Sequence, residues 1–495
     1  MNNPRTLESI FNPTSVAIAG GIAGGIGQAF LSCLLDSGFK GKVYPLSTKG
    51  GEASGLKVYP NIMGVPEPVD FVIACIPASV SPQLIRDCVA KGVKAVSFFT
   101  AGFSEAGTRE GQELEEEMCS VAQAGGLRIL GPNCVGVYHP KVGLSFSSDN
   151  PQESGRVALI CQSGGNAIYL VRAAAQRGVR FSKAVSYGNA CDIDESELLE
   201  YFGQDSETEI VAAYIEGVKD GRRFYRVLKE VSATKPVVVL KAGHTEAGAR
   251  AAASHTGALA GSDSVWDGLV QQAGAIRVYE LDELVDMMVA FSYLRVPQGR
   301  RVAVLGGGGG FSVMTTDEYA AAGFALPALP QQIQEELRED IRGFVNSDAG
   351  FILNNPLDLT NLASSEGDYK VLKRLADYDG LDLLVGQFSV NNSGWPYADF
   401  GFSVWPDFFT DAVIKIHSET DKPIAVIIHA VLSSWDLQRA LDLQQKCCEA
   451  GLPVFRSVPS AARAIDRFWR YHERRATRQE KAAGGLCPSS ERYVP

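Results

Sequence analysis

The chain lacks the features that would place it in a membrane, on a nucleic acid or around a zinc ion. No window approaches the roughly 18 uninterrupted apolar residues of a membrane span. The N-terminus, MNNPRTLESIF, has no apolar stretch behind a basic start, so no secretory leader is expected. None of the ten cysteines (Cys33, Cys75, Cys88, Cys119, Cys134, Cys161, Cys191, Cys447, Cys448 and Cys487) forms a CxxC or a Cys/His pattern. Neither zinc nor a disulfide framework is therefore expected, and no metal site is assigned. Scattered free thiols instead fit a reducing cytoplasm. A net charge of -11 speaks for solubility and against a nucleic-acid-binding surface, while leaving room for a local basic pocket.

What is present is an α/β rhythm. A length of 495 residues suggests roughly two to four domains, and 45% hydrophobic with 21% charged residues allows each a sizeable core. Short β-branched runs stand at 15–20, 42–47, 71–76, 95–99, 156–160, 210–215, 236–242, 301–306, 382–388 and 423–428. Helix-period segments lie between them, for example at 26–37, 80–91, 109–124, 165–177 and 264–273. Strands apolar on both faces and separated by helices predict parallel sheets. Polar, breaker-rich stretches after Gly143 and around Val296-Pro297 divide the chain into three expected α/β domains, 1–145, 150–295 and 300–470. Residues 471–495 lack apolar periodicity and are expected to be a frayed tail.

Each domain opens on the same device, a strand, then glycines, then a helix: VAIAGGIAGGIG, VALICQSGGNAI and VAVLGGGGGFSV. Backbone N–H groups at a helix N-terminus suit an anion, and glycine lets it approach. Tight strand-to-helix packing explains any single loop equally well; three of them point to anion handling. The first loop could be forced into a dinucleotide fingerprint, but that needs an acidic residue at the end of the second strand for the ribose hydroxyls. Here the strand runs into Thr48-Lys49-Gly50-Gly51, and a lysine suits phosphate. The GPNCVG stretch, Gly131 to Gly136, reads on its own as an ordinary turn.

His255 sits in ASHTGALAG, wrapped in small residues that leave its imidazole accessible to a bulky group. A neutral imidazole can accept a phosphoryl group and pass it on, whereas the bland alternative is a helix cap. Glu216, ending a strand in AAYIEG, could hold that imidazole in the right tautomer and stabilise its phosphorylated form, or be a plain strand-end carboxylate.

With these residues assembled, residues 7–470 resemble the NDP-forming (ADP-forming) acyl-CoA synthetase family, alpha-subunit type, and more distantly the succinyl-CoA synthetase alpha subunit. The motifs carrying the resemblance are GGIAGGIG, PLSTKGG, TAGFSE, GPNCVG, CQSGG, VSYGNACDID, YIEGVKDGRRF, KPVVVLKAG, ASHTGALAG and NNPLDL. It implies a Rossmann-like CoA-binding domain followed by two flavodoxin-like ligase domains. It implies CoA contacts at Gly21, Ala23, Gly24, Gly25, Ile26 and Lys49, then at Thr100, Ala101 and Gly102, with Asn133 and Cys134 near the thiol end. It puts the phosphohistidine on His255, its stabilising glutamate on Glu216, and the meeting point of acyl phosphate and phosphohistidine at Gln162, Ser163 and Gly164. Cys161 and Gly165 depart from the usual SQSGA of that loop.

The implied reaction is the reversible conversion of acyl-CoA, phosphate and ADP into a carboxylic acid, CoA and ATP through acyl phosphate. Nothing in the sequence resembles an ATP-grasp unit, so ATP/ADP and Mg2+ are expected on a separate beta-type partner in a hetero-oligomer. Two other readings compete: a non-catalytic CoA-binding or scaffolding subunit, and an NAD(P)-dependent oxidoreductase. The acid is not named by these residues. The aromatic segment 395–409 is expected to be a packed insertion, against a substrate pocket or partner face.

Overall fold

The computed structural model describes residues 5–248, 250, 262–306, 308–344, 353–358, 362, 364–390, 405–429 and 434–484. His255 and most of the aromatic segment, Trp395 included, lie outside them.

The first strands form as expected because they are apolar on both faces. β1 (Ser15–Ala19), β2 (Lys42–Leu46), β5 (Phe71–Ala74), β6 (Ala95–Phe98) and β7 (Arg128–Leu130) pair in parallel in the order β2-β1-β5-β6-β7. A short antiparallel hairpin, β3 (Gly51–Ala53) and β4 (Leu56–Val58), follows β2. The helices are α1 (Arg5–Phe11), α2 (Ile26–Asp36), α3 (Ser81–Lys91) and α4 (Arg109–Gly125). Val72, Val96, Ile85, Met118 and Ile129 meet in the core between sheet and helices.

The chain passes from this sheet straight into the next. β8 (Gly136–Tyr138), on the first-domain side of the expected break at 145, pairs antiparallel with β10 (Phe181–Ser186) of a second sheet. That sheet continues with β9 (Val157–Cys161), β11 (Ile210–Ile215), β12 (Val237–Lys241) and β13 (Ile276–Val278) in the order β13-β12-β11-β9-β10-β8. Its helices are α5 (Gly164–Gln176), α6 (Glu195–Gln204), α7 (Gly221–Ser232) and α8 (Asp263–Ala273). α7 shows why such segments dock: Phe224, Val227, Leu228 and Val231 recur at helical spacing and are buried, while its charged residues face out. Counted in chain order, the first sheet and the five parallel strands of the second, β9 to β13, have the 2-1-3-4-5 strand order, so each has a point where the order reverses. Ligands of such sheets bind beyond the carboxyl ends of the strands at that point.

Residue contacts divide the chain into two compact units, Met1–Met288 and Val289–Pro495, where three domains had been expected. The first holds both sheets above, joined through β8. The division falls inside α9 (Leu281–Tyr293). The second unit has a parallel sheet of β14 (Val302–Leu305), β15 (Leu383–Ser389), β16 (Ile424–His429) and β17 (Val454–Phe455). Its helices are α10 (Gly308–Ala321), α11 (Gln331–Ile341), α12 (Ser365–Asp377), α13 (Trp405–Glu419), α14 (Ser434–Glu449) and α15 (Val458–Gly484). Phe409, in the described part of the aromatic segment, is fully buried with its ring 6.0 Å from Phe388.

The expected tail starts too early. α15 continues past residue 470 to Gly484, because Phe468 and Tyr471 pack on Phe291, with ring centroids 5.1 and 5.2 Å away. The Arg-, Glu- and Ala-rich sequence beyond is composed of good helix formers, so it continues a helix already docked.

In the first unit, Arg177 at the end of α5 is buried with its guanidinium 2.6 Å from Asp286 of α9. Removing one member of a buried pair leaves the other charge poorly compensated. Asp286→Ala is therefore expected to destabilise the first unit by about 3 kcal/mol, read as a lower urea midpoint, with the double variant Arg177→Met/Asp286→Ala costing less because no charge is stranded.

Candidate functional site

The first glycine loop sits at the first reversal point. After Ala19 the backbone turns through Gly20 (φ +87°) and Gly21 (φ +63°), and the Gly20 amide donates to the Leu46 carbonyl at 3.1 Å. The Gly21 carbonyl then accepts the amides of Gly25 and Gln28, each at 3.0 Å, closing the loop onto α2. A Cβ on Gly27 would lie 1.9 Å from the Gly20 oxygen, so this glycine serves packing. Gly24 has nothing within 4 Å of its Cβ position, and Gly21, Ala23, Gly25 and Ile26 are exposed with it. An open helix N-terminus of this kind favours an anion. Lys49 is exposed in the turn after β2, whose Ser47 carbonyl accepts the Gly50 amide. It thus shares a sheet end with the loop.

A cavity of about 350 Å³ lies where the two sheets of the first unit meet. Thr100, Ala101, Asn133 and Cys134 line it from the first sheet's side; Gln162, Ser163, Gly164 and Gly165 line it from the second. The Thr100 hydroxyl donates to the Ile76 carbonyl at 2.5 Å, and its own carbonyl accepts the Asn133 amide at 2.9 Å. Gly102 stands next to this wall and is not among its lining residues. The Cys134 thiol lies 3.5 and 3.6 Å from the Phe98 and Leu130 carbonyls. Burial pushes it up to about 11, so it is a wall residue held as a neutral thiol.

Gln162 occupies the second reversal point, between β9 and β11. Its side-chain oxygen accepts the amides of Glu216 (2.8 Å) and Gly217 (3.2 Å) and the Tyr187 hydroxyl (3.3 Å). Ser163 caps α5 by accepting the Asn166 amide at 3.3 Å, which leaves Gly164 and Gly165 at the cavity as the first turn. The unusual Cys161 thiol donates to the Ser163 carbonyl at 3.0 Å, and burial raises its pKa, so it acts as a prop for the loop. The Glu216 carboxylate is buried and accepts the Tyr214 hydroxyl at 3.3 Å. His255, its expected partner, is outside the described residues.

Sequence reasoning missed Asn189, Gly188 and two carboxylates behind them. Asn189 lines the cavity and its side-chain amide donates to Glu105 (2.5 Å) and Glu115 (2.9 Å). Glu105 also accepts the Gly102 amide at 2.6 Å, so one carboxylate positions the Thr100–Gly102 turn and the opposite wall together. For all but Glu115 the signal was present in TAGFSE and VSYGNACDID, where Glu105 ends one motif and Asn189 is central in the other. The backbone seals the contact: the Asn189 and Cys191 amides donate to the Pro132 and Gly131 carbonyls, both at 3.0 Å. The Arg128 guanidinium bridges Asp192 and Glu197 beside it.

Residues 14–140 match the CoA binding domain family, and residues 154–291 match the succinyl-CoA ligase like flavodoxin domain family. The chain is 36% identical over 488 residues to the acetate–CoA ligase [ADP-forming] I subunit alpha of Pyrococcus furiosus, covering 96% of this chain and 100% of that one. It is 33% identical over 388 residues to the 4-hydroxybutyrate–CoA ligase [ADP-forming] of Nitrosopumilus maritimus, covering 77% of this chain and 54% of that longer protein. Among solved structures, it matches the dinucleotide forming acetyl-coenzyme A synthetase 1 of Ca. Korarchaeum cryptofilum in complex with phosphate and ADP. There the TM-score is 0.79 at 32% identity, over 99% of this chain and 100% of that one.

Two expectations follow. Gly188 has φ +53°, and a Cβ there would stand 2.0 Å from the Pro132 carbonyl. Gly188→Ala should push the two walls apart, costing about 2–4 kcal/mol in thermal unfolding and weakening CoA binding by calorimetry. Glu195, the first residue of α6, is buried, and its Oε1 has no hydrogen-bond partner among the described residues. Burial, and then the Asp194 charge, raises its carboxyl to about 7. A carboxyl raised on folding stabilises only while protonated, so its contribution fades as pH rises from about 4.5 to 7. Glu195→Gln should match wild type below about pH 4 and exceed it by about 2–3 kcal/mol at pH 8, measured as the difference in urea midpoint.

Proposed function

The chain belongs to the ADP-forming acyl-CoA synthetase family as an alpha-type chain, and from that premise we propose how its residues divide the work of an acid–thiol ligase. The observation carrying this reading is the cavity between the two sheets, with the CoA-binding domain's turns on one wall and the N-terminus of α5 on the other. CoA lies with its phosphates over the loop from Gly21 to Ile26 and near Lys49, and runs past Thr100–Gly102 so that its thiol end reaches Asn133. The thioester carbonyl then sits before Gly164 and Gly165.

In the direction of acid release, a phosphate oxygen attacks the thioester carbon, the C–S bond breaks, and CoA leaves as a thiolate that takes up a proton. The acyl phosphate carries its charge at the first turn of α5, where the Gly164 and Gly165 amides and the helix dipole stabilise it. The His255 imidazole attacks phosphorus, the P–O bond to the acyl group breaks, and carboxylate departs. Glu216 stabilises the phosphorylated ring. Gln162, by gripping the amides of Glu216 and Gly217, sets where that carboxylate stands. A beta-type partner chain binds ADP and Mg2+ and takes the phosphoryl group to form ATP, in a hetero-oligomer. We place the reaction in the cytoplasm; no helix among the described residues is long and apolar enough to cross a membrane.

The test is labelling of the chain with radioactive phosphate across a panel of acyl-CoAs. Acid-labile, base-stable label is expected with at least one acyl-CoA, lost in His255→Ala and reduced at least about tenfold in Glu216→Gln. The acyl-CoA that works names the acid. If CoA binds and no acyl-CoA gives label, the chain is a non-catalytic CoA-binding subunit and this proposal fails.

A further inference from the structure

Two cysteines that the reaction does not use face each other beside the cavity. Cys119 lies on α4 of the CoA-binding domain, and Cys191 on the loop that carries the cavity residues Gly188 and Asn189. The Cys119 thiol donates to the Cys191 carbonyl oxygen at 3.7 Å, so the two cysteines lie directly against each other. One turn earlier on the same helix face, Glu115 receives the Asn189 side-chain amide at 2.9 Å, which fixes the loop opposite α4. Both sulfur-bearing residues are partly exposed, unlike the buried Cys88, Cys134, Cys161 and Cys447.

The two thiols are shifted in opposite directions: hydrogen bonding with Cys119, and then burial, raises Cys191 well above its usual range, so Cys119 is the one that ionises. The hydrogen bond from Cys191 holds the Cys119 thiol below its usual range, against burial and the Glu115 and Asp192 charges, with the Lys219 ammonium adding a smaller push the same way. Lys219 is anchored there by donating to the Ala190 carbonyl at 2.7 Å. Burial drives Cys88 and Cys447 up to about 12, far from reactive. A partly exposed thiol inclined to ionise and packed against a second cysteine is the arrangement of an oxidation-sensitive pair.

We propose that Cys119 and Cys191 form a reversible disulfide when the protein meets a hydroperoxide, tying α4 to the cavity-wall loop. The Cys119 thiolate attacks the peroxide, the O–O bond breaks, and a sulfenic acid forms as water or an alcohol leaves. The Cys191 sulfur then attacks that sulfur, the S–S bond forms, the S–O bond breaks, and a water leaves. Two thiols lose two electrons and two protons, and one peroxide is reduced. A small dithiol reverses the step by exchange.

The full-length chain should be exposed to hydrogen peroxide, its remaining thiols alkylated, and its peptides analysed by mass spectrometry. The expected product joins the Cys119 and Cys191 peptides, lighter than their sum by two hydrogens, and disappears with dithiothreitol. Because the bond closes a long loop within one unit, the oxidised protein should melt about 3–6 °C higher, a shift absent in Cys119→Ser. Cys191→Ser should leave Cys119 as a sulfenic acid trapped by dimedone. Should either variant fold poorly, the peptide map and melting shift of the wild type decide alone. Over-oxidised Cys119 without the cross-link, a cross-link to any other cysteine, or a cross-link with unchanged melting would each overturn the proposal.

Discussion

The site depends on one backbone seam: the carbonyls of Gly131 and Pro132 accept the amides of Cys191 and Asn189. Each sheet of the first unit offers ligands only the carboxyl ends of its strands. Two such ends make a closed cavity only if they are held face to face. The seam does this with main-chain atoms, which cannot change rotamer, and it needs a residue without a side chain at Gly188, where Pro132 comes within 2.0 Å of a Cβ position. Direct continuation of the chain from β7 through the GPNC turn into β8 adds covalent connection to the hydrogen bonds. Turns of the first sheet and a helix N-terminus of the second thereby line one cavity.

Charge and hydrogen bonding then sort the polar residues into those that hold the walls and those that stay open. Gln162 is the clearest case of the first kind. Its oxygen is shared by two amides and a hydroxyl, so it serves as a bracket at the reversal point between β9 and β11, and a substrate would have to displace three donors to use it. Cys134 and Cys161 are likewise committed, each donating to nearby carbonyls in surroundings that disfavour a thiolate. Gly164 and Gly165, having no side chains to spend, keep the first turn of α5 available. An unsatisfied buried amide costs more than an exposed one, so walls are built first and the ligand takes what remains.

Much of the architecture was readable because parallel strands buried on both faces declare themselves as apolar runs; β1, β9, β11 and β12 fall where VAIA, VALI, IVAAYI and VVVL stand. The longest strand missed was β10. Its FSKAVS sequence carries Lys183, which is buried yet ion-paired with Asp205 and Glu207, and no local pattern tells a paired buried lysine from an exposed one. β8 was hidden for a different reason, being three residues long and defined by a partner nearly fifty residues away. The helix beyond residue 470 was misread as a tail because its docking surface, Phe291, belongs to a distant helix. In the site, motif residues were found and their supports were not. Glu105 and Glu115 act across the seam, and a carboxylate's partner is a matter of tertiary structure.

The strand–glycine–helix device also shows how one sequence signal yields different chemistry. At Gly24 the loop meets nothing, and the helix terminus is open to a ligand. At Ser163 a side chain caps the helix, and only the glycines after it face the cavity. In the second unit, the Gly306 amide donates to the Leu357 carbonyl, and its own carbonyl accepts the Gln387 side-chain amide. That glutamine is fully buried and also accepts the Thr315 hydroxyl, so the loop is tied inward at its first residue. Glycines permit close approach without saying what approaches. The occupant is decided by whichever acceptor or donor the rest of the fold brings near: open solvent in the first loop, the loop's own serine in the second, and a neighbouring strand's glutamine in the third.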